Sequence, residues 1–273
     1  MIFQSVLDAV TSIFFPGPCR ICATTLTNAS RIPICEKCLA SFERIREPLC
    51  ACCGRPFPAT SAIASDSFPA AKPLCRLCRS DFYAFDRART FATYGDALGG
   101  AILLLKYEEV TRLGNWFAER LAEVAATELA EWRPDVVVPV PLHADRQRER
   151  GYNQAELIAR PLAKRLKLKF GAYLLMRTKP RPPQLVLSRT EHWKSVRGAY
   201  ATREGLRVDN LRVLLVDDVL TTGATLDACS RALKKAGATA VFGLTVARVA
   251  SGAPPQGPTQ VEQSNKRSKP RGQ

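Results

Sequence analysis

A chain of 273 residues with 46% hydrophobic and 24% charged side chains has room for one sizeable core and a smaller unit, and its composition is ordinary for a globular protein. No apolar run reaches the roughly 18 residues of a membrane span, and the apolar opening Met1–Phe15 lacks the basic segment and small-residue cleavage site of a secretory leader. Forty Lys and Arg against twenty-five Asp and Glu leave +15, a surplus that favours phosphates, nucleic acid or an acidic protein face as partners.

In chain order, Met1–Phe15 reads as a short amphipathic helix. The next stretch, to about residue 80, holds nine of the ten cysteines and little periodicity. Within it Pro56–Pro73, rich in Pro, Ala and Ser, reads as a loop. From about Phe82 helical and strand-like patterns alternate. Ala97–Tyr107 and Trp116–Glu131 have helical apolar spacing. Asp135–Val140 is a β-branched run ended by Pro141, Gln154–Leu168 is helical, and Tyr173–Met176 is a short strand. Arg177–Arg197, with six basic residues and one acid, reads as a polar, proline-containing loop. Leu211–Val216 is a buried strand, Ala224–Ala236 a helix and Ala240–Val246 the next strand. Such alternation predicts an α/β fold with a parallel sheet covered on both faces. After Ala250 the sequence is poor in apolar residues, carries four basic residues and one acid, and is expected to be disordered. The expected division is 1–85 for the N-terminal helix and cysteine module, 86–250 for the α/β domain and 251–273 for the basic tail.

Eight cysteines form four C-x-x-C pairs: Cys19/Cys22, Cys35/Cys38, Cys50/Cys53 and Cys75/Cys78. Such spacing lets two thiolates from one turn reach the same Zn²⁺, and two knuckles close a tetrahedral structural site. A redox shuttle needs one such pair, so four argue for two zinc ions in a reduced, cytoplasmic protein. Sequential pairing (Cys19/Cys22/Cys35/Cys38 and Cys50/Cys53/Cys75/Cys78) and a cross-braced pairing both satisfy the spacing. Cys52 reads as a spare thiol and Cys229 as a small buried side chain.

The sharpest segment for chemistry is Arg212–Leu226, RVLLVDDVLTTGATL. An apolar strand is followed by two acids and then by Thr221, Thr222, Gly223, Ala224 and Thr225 at the start of a helix. A glycine turn at a helix N-terminus gathers backbone N–H groups around an anion, and threonine hydroxyls add further donors. Asp217 and Asp218 are suited to accept hydrogen bonds from ribose hydroxyls or to share a metal. No Gly-Lys-Thr/Ser is present, so this is not a Walker A loop. A second segment, Val136–Ala159, reads as strand, proline turn, basic loop and helix. There Arg146 and Arg150 offer planar forks for phosphate oxygens. Gly151, Asn153 and Gln154 follow them, and His143 in the same loop is read as merely solvated.

The Arg212–Leu226 segment resembles the phosphoribosyl-pyrophosphate motif of type I phosphoribosyltransferases. In combination, the paired C-x-x-C knuckles, LLKYE at Leu104–Glu108, P-V-P-L…R-G-Y-N-Q, Gln184…Leu187-Ser188 and VDDVLTTGATL resemble the ComF family, over about Cys19 to Ala247. The resemblance implies a double zinc ribbon before a type I phosphoribosyltransferase-like sheet. It implies that Asp217 and Asp218 meet the ribose hydroxyls, that Thr221–Thr225 cradle the 5′-phosphate, and that Arg146, Arg150 and Lys106 serve a pyrophosphate. Mg²⁺ would accompany phosphoribosyl pyrophosphate. For some members the family role is handling of single-stranded DNA during transformation, so single-stranded DNA and a DNA-uptake motor or channel protein are the alternative partners. Phe42, Phe57, Phe82, Tyr83 and Phe85 are candidates to stack on bases, with ordinary packing as the competing explanation. The chain departs from the family pattern at His192 and Ser195. It also has Thr221 where purine-salvage relatives often carry an acidic general base, a role that a threonine cannot fill.

Overall fold

The computed structural model describes residues 17–26, 32–58, 73–180 and 188–250. The expected N-terminal helix, most of the Pro56–Pro73 loop, the Gln184–Leu187 stretch and the basic tail lie outside the described residues. Two short helices, α1 (Glu36–Ala40) and α2 (Arg76–Arg79), belong to the cysteine module. Strand β1 (Arg87–Thr93) follows, then helices α3 (Asp96–Tyr107), α4 (Arg112–Ala126) and α5 (Leu129–Trp132). Strand β2 (Val136–Pro139) leads through α6 (Ala144–Arg150) and α7 (Gln154–Leu166) to β3 (Lys169–Phe170). An antiparallel ribbon of β4 (Leu175–Arg177) and β5 (Tyr200–Thr202) brackets α8 (Arg189–Val196). Strand β6 (Arg212–Leu220), helix α9 (Ala224–Lys235) and strand β7 (Ala240–Arg248) complete the described chain.

Five strands form one parallel sheet in the order β1-β7-β6-β2-β3. Alternation along β6 explains how its two faces are used. Leu214 and Val216 join a core with Phe117 and Leu121 of α4 and Ile158 and Leu162 of α7. Val213 and Leu215 point the other way, into a core with Leu226, Cys229 and Leu233 of α9. Strand β7, between β1 and β6, is buried at all nine positions, as an interior strand covered on both faces must be.

Several elements differ from the sequence expectation. The strand before the acids does not stop at Val216 but continues to Leu220, because β7 pairs with it as far as Arg248. The basic loop is largely the helix α6. The single helix expected over Trp116–Glu131 is two, parted at Thr127–Glu128. Part of the Arg177–Arg197 loop is the helix α8, started by a capping box in which Ser188 and Glu191 exchange hydrogen bonds.

The cysteine module is built twice over. Cys19 N–H bonds to Thr24 O at 2.8 Å and Cys50 N–H to Arg55 O at 2.8 Å, and each turn passes through positive φ, at Ala23 and Gly54. Each third cysteine donates its N–H to the first: Cys35 to Cys19 Sγ and Cys75 to Cys50 Sγ, both at 3.3 Å. The module also covers the outer edge of β1. Thr93 N–H bonds to Glu43 O at 2.8 Å, Ile45 N–H to Phe91 O at 3.1 Å and Ala88 N–H to Cys52 O at 2.7 Å. A bare edge strand would offer these groups to other chains.

Candidate functional site

The two cysteine clusters pair sequentially. The sulfurs of Cys19, Cys22, Cys35 and Cys38 lie within 4.8 Å of one another, as do those of Cys50, Cys53, Cys75 and Cys78. Tetrahedral Zn–S bonds of about 2.3 Å put sulfurs roughly 3.8 Å apart. Cys19–Cys38 at 3.9 Å, Cys22–Cys35 at 3.6 Å and Cys53–Cys75 at 3.7 Å match that spacing. Four soft thiolates in a closed set fit a structural zinc and leave no position for substrate. Cys52 stands outside the four, and Cys229 is fully buried.

The second site lies at the carboxyl ends of β2 and β6. Chain direction across the sheet reverses between these neighbours, since β6 continues through α9 to β7 on one side and β2 through α7 to β3 on the other. Such a switch point opens a crevice in open parallel sheets. Asp217 and Asp218 stand on β6, inside the strand rather than beyond it, and Asp218 is 5% exposed. The Lys106 ammonium, from the last turn of α3, forms an ion pair with Asp218 Oδ2. That oxygen accepts no well-angled hydrogen bond, while Gln154 Nε2 approaches Oδ1 at 3.5 Å.

The two acids are held in opposite electrostatic states. Burial, then the Asp218 charge beside it, pushes the Asp217 carboxyl well above the usual range. Burial alone would raise Asp218 too, but the Lys106 charge and the hydrogen bonds around it leave it below the usual value. Lys106 is raised in turn, its loss of solvent more than offset by Asp218.

After β6 the chain turns through Thr221 and Thr222 into α9. Gly223 caps that helix with φ +84, a left-handed conformation that side chains disfavour, and Thr222 Oγ1 accepts from Ala224 N at 3.3 Å. A shallow cavity there is lined by Asp217, Thr221, Gly223, Ala224 and Thr225. The helix dipole and the first-turn N–H groups make this end of α9 attractive to an anion. Arg150 packs 4.9 Å over the Tyr107 ring and hydrogen-bonds Gln154 Oε1. Arg146 is half-buried on α6 and has no ion pair among the described residues. Asp217, Asp218, Lys106, Gln154 and Arg150 therefore form one connected set.

Comparison with known proteins fits both halves. The phosphoribosyl transferase domain family matches residues 149–268 and the double zinc ribbon domain family residues 10–79. The DNA utilization protein YhgH of Salmonella typhimurium is 29% identical over 229 residues, covering 83% of this chain and 94% of that one. The competence protein ComFC of Bacillus subtilis is 27% identical over 231 residues, covering 79% and 84%. Over most of its length the chain is thus similar to proteins named for competence and for DNA utilization, and it carries both domain families. A purine phosphoribosyltransferase from Pyrococcus horikoshii Ot3 superposes with a TM-score of 0.33 at 20% identity, covering 51% of this chain and 79% of that one.

Further residues of this chain stand in or around the site in roles that their local sequence does not announce. Tyr83 O–H donates to Thr222 O at 3.0 Å. His192 Nδ1 lies 3.1 Å from Thr222 Oγ1, so a position that departs from the family pattern touches the threonine loop. Ser195 instead bonds back to His192 O at 2.9 Å. Asn153 caps α7 and donates to Val140 O at 3.0 Å, fixing the turn after β2. His143, read as merely solvated, caps α6 by accepting from Asp145 N at 3.4 Å. Of the stacking candidates, Phe42 and Phe85 are buried in packing, and Phe82 is 39% exposed.

Proposed function

We propose that this chain binds a phosphoribosyl pyrophosphate-type ligand with Mg²⁺ at the switch point between β2 and β6. The single observation that carries the reading is that Asp217, which lines a cavity with the Thr221–Thr225 helix start, adjoins Asp218, which Lys106 and Gln154 hold and which Gln154 joins to Arg150. In it the 5′-phosphate rests on the Thr221–Thr225 turn and Asp217 and Asp218 accept from the ribose hydroxyls. Lys106, Arg146 and Arg150 face the pyrophosphate. Mg²⁺ is usually held by one or two carboxylates together with substrate phosphates, and the hard oxygens of Asp217 and Asp218 suit it. When bound it neutralises pyrophosphate charge. Transfer of the phosphoribosyl group, if this protein performs it, uses a base other than Thr221 or an acceptor that needs none.

The reading places a structural zinc module at 1–85, the ligand domain at 86–250 and a basic tail at 251–273, in a cytoplasmic protein. No helix among the described residues is long and apolar enough to cross a membrane. Equilibrium titration of phosphoribosyl pyrophosphate with and without Mg²⁺ tests it. Saturable, Mg²⁺-dependent binding is expected, and binding indifferent to Mg²⁺ would argue against the acid pair's role.

A second reading, a single-stranded DNA-binding or adaptor protein for a DNA-uptake motor or channel, is favoured by the charge of +15 and by relatives named for competence and DNA utilization. It requires binding that weakens steeply as salt rises. Binding to an uptake protein should survive loss of the acids and fail without the zinc module.

A further inference from the structure

We propose that Tyr83 is a positioning residue for the Thr222–Gly223 turn, and that through it the second zinc cluster sets how well that turn binds phosphate. The ligand named here rests on the phosphoribosyl reading; the positioning itself does not.

Four residues separate Cys78, the last thiol of the second cluster, from Tyr83. The backbone between them hangs from α2, with Asp81 N–H on Cys78 O at 3.4 Å and Phe82 N–H on Leu77 O at 3.3 Å. Tyr83 stacks on Phe85, ring centroids 4.6 Å apart, and Phe85 shares a buried cluster with Cys50, Cys53, Cys75 and Cys78. The far end of the same strap is tied to α9, where Ala84 N–H donates to Asp227 Oδ1 at 2.7 Å. A knuckle of this size has little fold without its metal, so the strap's fixed end depends on the ion.

Tyr83 acts on the turn in two ways. Its hydroxyl holds the Thr222 carbonyl at 3.0 Å. In a trans peptide the carbonyl and the following N–H point in opposite directions, so fixing Thr222 O turns Gly223 N–H the other way. A turn that binds an anion needs its N–H groups facing the ligand and its carbonyls facing away. Its ring also fills the space beside Gly223, where an added Cβ would sit 2.7 Å from Tyr83 Cε1. Burial pushes the phenol up to about 12, so the donor keeps its proton at neutral pH.

The neighbouring contacts reinforce the clamp. Phe82 packs edge-on against Trp193 at 4.9 Å, on the helix that brings His192 to Thr222 Oγ1. The zinc strap and α8 thus grip the turn together.

The test uses the full zinc-loaded chain and two readouts: hydrogen exchange at the amides of Thr222–Thr225, and titration with Mg²⁺–phosphoribosyl pyrophosphate. Tyr83→Phe keeps the ring and removes one hydrogen bond. It should speed exchange at Gly223 and Ala224 and weaken ligand binding, each about fivefold, with zinc content and β6–β7 protection unchanged. Cys78→Ser should speed the same amides more than Tyr83→Phe does, whereas Cys38→Ser, in the first cluster, should leave them as they are. Because coupling is reciprocal, Gly223→Ala should weaken zinc affinity at the second cluster only, read by equilibrium competition with a chelator. Should Cys78→Ser fail to fold, Tyr83→Phe and Gly223→Ala still decide. Unchanged exchange at Gly223 and Ala224 in Tyr83→Phe overturns the proposal, whatever the ligand does. Faster exchange there in a chain that binds no phosphoribosyl pyrophosphate supports the positioning and refutes the phosphoribosyl reading instead.

Discussion

Replacing the two neighbouring acids by asparagine should move stability in opposite directions. Asp218 is 5% exposed and is the ion-pair partner of Lys106, whose side chain keeps 21% exposure. Removing one member of a buried pair costs about 3–5 kcal/mol, and the partial exposure of Lys106 argues for the low end, about 3. At about 2–4 °C per kcal/mol for a unit of this size, Asp218→Asn should lower Tm by roughly 6–12 °C. Asp217 is the carboxyl that burial and its neighbour's charge disfavour in ionised form. Asparagine there keeps the oxygen that accepts Asp218 N–H at 2.9 Å and removes a carboxyl whose ionisation burial and the Asp218 charge oppose, for a gain of about 1 kcal/mol or 2–4 °C. Thermal unfolding of zinc-loaded protein at neutral pH reads both changes, and Lys106→Met should recover part of the Asp218→Asn loss. Equal losses in the two variants would refute the assignment of opposite states to the two acids.

Ligand binding should strengthen with pH. The ligand takes Asp217 in its ionised form, so where that carboxyl is protonated binding must release the proton, and affinity rises as pH climbs through the elevated Asp217 value and levels off above it. In Asp217→Asn the same titration should be weak and flat over that range. Gly223→Ala forces an alanine to φ +84 against Tyr83 and should cost about 1–2 kcal/mol, read by thermal unfolding, with weaker phosphate binding. A Cys22→Ser/Cys38→Ser variant should retain one of two zinc ions by metal analysis, because both ligands belong to one cluster. A cross-braced arrangement would lose both.

The strongly periodic parts of this chain were legible from sequence, while parts decided by distant partners were not. The runs at Val136 and Val213 announce buried parallel strands, and four C-x-x-C pairs announce two metal sites. Spacing left open which pairs unite; the gathering of the sulfurs into two sequential sets resolves it. Strand β1, RARTFAT, was missed because its basic residues hide an element whose middle five residues are buried. Arg89 is neutralised there by Glu128 at 2.7 Å, a partner 39 residues away. Helix α8 carried a readable start in Ser188-x-x-Glu191, overshadowed by the prolines before it. Within the site, the acids and the threonine turn were read from local pattern. Gln154, Tyr83 and His192 reach it only through the fold, and no spacing rule brings a residue at 83 to one at 222.

The most direct measurement is calorimetric titration of Mg²⁺–phosphoribosyl pyrophosphate into the zinc-loaded chain and into its Asp217→Ala/Asp218→Ala variant. Saturable binding by the unaltered chain and none by the folded variant is the predicted result. No binding by the unaltered chain, or equal binding by both, would contradict a ribose–phosphate site at the end of β6.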